Sequence, residues 1–122
     1  MKSSMLLAAT AAIIVVAGCA KRPETIAPAY VSTLPYQNLS CGQLAEEMAR
    51  VNAAYTTAAQ AQNDAATGDA WGVFLLGMPT STLSGANVAA QVASLKGQQD
   101  ALHQSAVRKN CNIPPAAAAD AQ

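Results

Sequence analysis

Two stretches of the chain carry the same periodic signature, which restricts the fold more than any other feature. From Cys41, the larger or apolar side chains fall at Leu44, Met48, Val51, Tyr55 and Ala58. From Val88, they fall at Val92, Leu95, Gln99, Leu102 and Ala106. Steps of three and four keep to one face of an α-helix and approach a coiled-coil seam. The pattern predicts an all-α chain with helices over about 40–67 and 86–109. Ser40 and Gln43 have capping-box spacing, which starts the first helix. Glu46 and Arg50 stand at i,i+4 on its polar face. Gly68 suits its end. Ser84 or Asn87 is expected to cap the second helix, and Arg108 and Lys109 sit in its last turn, where cations complement the helix dipole. Pro114 and Pro115 stop any continuation.

The helices have nearly equal expected lengths, about 25 residues from Cys41 to Ala65 and about 24 from Val88 to Cys111. An antiparallel hairpin follows, with Cys41 and Cys111 at its open end. In that register Tyr55 faces Gly97, giving a ring a glycine to pack on. Alanine dominates both helices and buries little area, so an isolated pair is marginal. The hairpin is expected to pack against its own tip segment, a second copy or a partner.

The N-terminus has its own layout. Lys2 precedes an apolar run, Met5 to Val16, which ends in Val16-Ala17-Gly18-Cys19. The run is too short for a bilayer-spanning helix, which needs roughly 20 residues, and reads as a signal sequence. The rival reading is an uncleaved anchor with an incidental cysteine. The four residues resemble the lipobox of bacterial lipoproteins. That resemblance implies cleavage between Gly18 and Cys19, loss of residues 1–18, and a diacylglycerol and N-acyl chain such as palmitate on Cys19. No other cofactor is expected. In such lipoproteins an aspartate after the cysteine often signals inner-membrane retention. Ala20 there implies the outer membrane, with the protein facing the periplasm. That compartment is oxidising, so with Cys19 occupied by lipid a Cys41–Cys111 disulfide is expected. A redox-active or metal-binding pair is the rival reading.

The remaining segments complete the organisation. Residues 19–39 hold several prolines and no periodicity, and read as an extended tether that would leave the hairpin's direction open. Residues 40–111 form the hairpin domain, and 112–122 a disordered tail. Between the helices lies the most apolar stretch after the signal, with Trp71, Val73, Phe74, Leu75, Leu76 and Met78. It is expected to form a short helix, about 70–77, folded over the hairpin end as a small core. Otherwise it is an exposed patch for self-association, a protein partner or the membrane interface.

Catalytic chemistry has little to stand on. The chain has one histidine, His103, expected on the exposed face of the second helix. Glu46 and Glu47 point in different directions. No phosphate-binding loop, nucleophile elbow or Cys–His pair is present. The net charge is zero, which disfavours nucleic acid. Neither an enzyme nor a small-molecule site is expected.

Residues 36–111 are also similar to a group of small bacterial lipoproteins of unassigned function. The similarity is carried by Tyr36, Ser40-Cys41, Leu44, Leu75-Leu76-Gly77-Met78-Pro79, Leu83-Ser84-Gly85, Leu95-Lys96-Gly97 and Lys109-Asn110-Cys111. It implies architecture and location, not a reaction. The leading expectation is a structural or interaction lipoprotein presenting its tip to an envelope partner. The alternatives are a pilot-like accessory of a secretion or transport system, and a membrane-perturbing lipoprotein.

Overall fold

The computed structural model describes residues 19–77 and 88–114. Two α-helices, α1 (Cys41–Leu76) and α2 (Ala89–Arg108), pack as an antiparallel hairpin closed by a Cys41–Cys111 disulfide. Among the described residues there is no strand. The proposed cleavage segment, Met78, and the caps Ser84 and Asn87 lie outside the described residues.

The seams are the core. Leu44, Met48, Val51, Tyr55 and Ala58 of α1 are buried against Val92, Leu95, Leu102 and Ala106 of α2. Gln99 Nε2 donates to Asn52 Oδ1 at 2.9 Å across the seam, a polar pair that holds the register. At the start of α1, Ser40 Oγ accepts from the Gln43 N–H and Gln43 Oε1 accepts from the Ser40 N–H, completing the capping box. At the end of α2 the chain reverses through Asn110, whose φ of 55° is left-handed. Cys111 N–H donates to the Ala106 carbonyl and Asn110 N–H to Val107, a Schellman closure that turns Cys111 toward Cys41. The disulfide closes a loop with a sequence separation of 70. The chain-entropy estimate for such a loop is roughly 4 kcal/mol.

Several expectations are corrected. α1 does not stop at Gly68; it continues to Leu76, so the segment at 70–77 is its last turns rather than a separate tip helix. A lone glycine costs a helix only about 1 kcal/mol, and the alanine-rich flanks and the packed face around Asp69 outweigh it. The stop is Gly77, left-handed at φ 76° and two residues before Pro79. The helices are therefore unequal, 36 and 20 residues, and α1 overhangs α2. Arg50 pairs with Glu47, one turn back, and not with Glu46. His103 is half-buried instead of exposed, and its Nδ1 has no hydrogen-bond partner among the described residues. Beyond Cys111, Ile113 packs against the core, so the ordered part reaches past 111.

The largest correction concerns residues 19–39. They are no free tether. They form a strap along the hairpin with short 3₁₀ turns at Pro23–Thr25 and Leu34–Tyr36. Ala20, Pro23 and Ile26 are buried. The Ala29 N–H donates to the Ala93 carbonyl of α2 at 2.8 Å. Lys96 Nζ reaches over the Tyr55 ring and donates to the carbonyls of Pro23 at 2.8 Å and Ile26 at 3.1 Å. Arg108 Nη1 contacts Thr33 Oγ1 at 3.4 Å. The strap is the element that completes the alanine-rich pair.

Gly97 shows why the strap can lie so close. A Cβ there would overlap the Ala29 carbonyl oxygen and come within 2.8 Å of Val31 Cγ2. The glycine makes room for the strap backbone, not for Tyr55. Gly97→Ala should therefore destabilise the fold by about 1–3 kcal/mol through overpacking. A solvent-facing helix glycine would instead gain about 1 kcal/mol from the same change. Urea denaturation reads the sign, and faster amide exchange across residues 20–31 should accompany the loss.

Candidate functional site

The site of interest is the end of the molecule away from the disulfide, where three features meet. The first is the packed face of α1 beyond Ala58. The seam rhythm continues there through Gln62, Ala65, Asp69 and Gly72, all buried. Two of these side chains are polar, and both are fully covered. A buried polar group needs a partner, and the strap backbone supplies it. Gln62 Nε2 donates to the Lys21 carbonyl at 2.7 Å, while its Oε1 accepts from the Val88 N–H at 2.7 Å. Gln62 thus ties the strap, α1 and the start of α2 together. It also serves an α2 N-terminus whose own N-cap residue, Val88, makes no side-chain cap. About two turns further on, Asp69 Oδ2 accepts from the Ala20 N–H at 2.6 Å.

The second feature is Cys19. It is half-buried, outside the disulfide, and directly precedes the residue that Asp69 holds. The proposed lipid site is therefore seated beside α1 at the level of Asp69. The 28 steps from Cys41 to Asp69 correspond to about 42 Å of helix. The strap covers that length in 21 steps, from Ala20 to Cys41, at about 2 Å per residue, well within an extended chain's 3.3–3.6 Å.

The third feature is the apolar end of α1. Trp71 is 62 % exposed, Phe74 79 %, Leu75 68 % and Leu76 69 %; Val73 is half-buried. Trp71 and Phe74 pack edge to face with ring centroids 6.1 Å apart. The expected small core over the hairpin end is not formed by these residues: their side chains face outward. Trp71 lies only about 3 Å along the axis from Asp69, and Leu76 about 10 Å. Cys19 and the exposed apolar turn thus share one end of the hairpin.

The rest of the surface offers little chemistry. One open groove runs beside Leu39, Gln43 and Arg50, and another between Tyr30 of the strap and Gln104 of α2. Neither brings a histidine or cysteine together with a second catalytic group. Among the described residues no three His, Cys, Asp or Glu side chains gather as a metal site, and no helix is long and apolar enough to cross a membrane. Burial, with Glu47 nearby, raises the Tyr36 phenol above its ordinary pKa, and Arg50 offsets part of this. No family model matches the chain, and no curated protein or solved structure is found to be similar to it.

Sequence reasoning singled out the tip side chains and Cys19 but missed Gln62 and Asp69, which bring the strap to the tip. Their signal was present: both fall on the seam's three-four rhythm. Gln62→Leu should leave the Lys21 carbonyl and the Val88 N–H without their partner. At about 1–3 kcal/mol for each unpaired buried group, a loss of at least about 2 kcal/mol is expected in thermal or urea unfolding.

Proposed function

We propose that the chain is a non-enzymatic lipoprotein of the bacterial cell envelope, held by lipid on Cys19 and acting as a structural or interaction module through its apolar tip. The observation that carries this reading is the division of the three cysteines. Cys41 and Cys111 form a long-range disulfide, as exported proteins do in an oxidising compartment. Cys19 stands apart from them, at the end of Val16-Ala17-Gly18-Cys19, with small residues before it and an apolar run before those. Each cysteine then has one role, and each role implies the same export route.

The tip supports the interaction half of the reading. Four large apolar side chains within six positions remain exposed, and such patches mark contact surfaces. Ala20 in the position after Cys19 favours the outer membrane, with the hairpin on the periplasmic side.

Expression of the full chain with labelled palmitate tests the anchor. The wild type should incorporate label, lose residues 1–18 and fractionate with membranes. Cys19→Ser should take up no label and leave the membrane fraction. Unlabelled wild type, with Cys19→Ser fractionating identically, would contradict the proposal.

A further inference from the structure

Once the strap is docked, the direction of the tip is no longer free. We propose that the lipid bilayer interface is what covers Trp71, Phe74, Leu75 and Leu76, so that the hairpin stands end-on with its disulfide pointing away from the membrane. This rests on the lipid-anchored reading of Cys19.

Three observations favour the bilayer over a second copy or a protein. First, the Ala20–Asp69 hydrogen bond seats Cys19 at the level of Trp71. A lipid on Cys19 enters the membrane where the exposed turn is. The same would hold for the Met5–Val16 run if it stayed attached. Second, the α1 tip is apolar around much of its circumference: Trp71, Phe74 and Leu75 point away from the strap-bound face, and Leu76 is exposed beyond it. Tryptophan and phenylalanine beside leucine suit the boundary between headgroups and acyl chains. Third, Lys21 and Arg22 stand two and three residues after Cys19 and are exposed, which complements the negative surface of an anionic leaflet.

The role of this contact is orientation. Diacylglycerol with an N-acyl chain already holds the protein to the membrane, because more than one chain gives stable attachment. A lipid alone leaves the protein free to tilt. A second apolar contact on the same rigid end restricts the tilt and sets the disulfide end about 42 Å of helix away from the surface.

Trp71 is the only tryptophan, so it reports on itself. The mature full chain is purified from membranes, weighed for lipid on Cys19, and reconstituted in phosphatidylethanolamine/phosphatidylglycerol vesicles with brominated acyl chains. Trp71 emission should be blue-shifted and roughly halved by bromines near the headgroups, and shielded from iodide. Phe74→Ser/Leu75→Ser, both at exposed positions, should keep the lipid and the melting curve but lose most of that quenching. Lipidated protein whose Trp71 is not quenched by bromine overturns the proposal. That holds whether iodide reaches the ring or a crosslinked second copy or protein covers it. A mass without lipid overturns the anchor reading separately. The same chain is then mixed directly with the vesicles, where quenching still supports a membrane-facing tip and its absence rejects it.

Discussion

The fold depends on the approach of the strap backbone to α2 at Gly97. There the Ala29 N–H bonds to the Ala93 carbonyl, and the Ala29 carbonyl occupies the space a side chain would need. Lys96, the neighbouring residue, clamps two more strap carbonyls. These contacts convert a two-helix hairpin into a three-element unit. Without the third element, the alanine-rich seams would bury few large side chains, too few to offset the entropy of ordering the helices. The disulfide secures the opposite end by restricting the unfolded chain.

The strap also carries the consequence for function. Its two ends are held at opposite ends of the hairpin. Thr33 and the 3₁₀ turn lie near the end of α2, while Ala20 meets Asp69 near the end of α1. A chain segment expected to be a flexible leash is a fixed spacer that runs the length of α1 from Cys41 to Asp69. Cys19 and the exposed Trp71–Leu76 turn are brought to one pole, and the disulfide to the other. On the proposed reading, the geometry of attachment is built into the fold and needs no partner to set it.

Much of this was readable from the residues, and the failures have physical reasons. The seams, the capping box and the cysteine bracket are local or periodic signals, and all appear in the structure. Gly68 misled because a glycine followed by Asp-Ala-Trp is tolerated inside a helix, whereas Gly77 with Pro79 behind it is not. The strap was missed because its bonds come largely from its backbone, and backbone groups are alike in every residue. Its trace lies on the receiving side: Gly97 in mid-helix, and Gln62 and Asp69 at apolar-seam positions. In the sequence Gly97 pairs with Tyr55 and the two polar residues have no evident reason; the strap explains all three. The shared pole of Cys19 and the tip followed from none of the local patterns, because it exists only once residues 20–39 are docked.

The most direct test of this account is the proximity of strap to helix in solution. Nuclear Overhauser contacts should be recorded on the disulfide-bonded chain, from the Gly97 α-protons and from the Ala20 amide. The account predicts cross-peaks from Gly97 to Ala29 and Val31, and from Ala20 to Asp69, with slow exchange of the Ala29 amide. Random-coil shifts through residues 20–31, with none of these contacts, would contradict it.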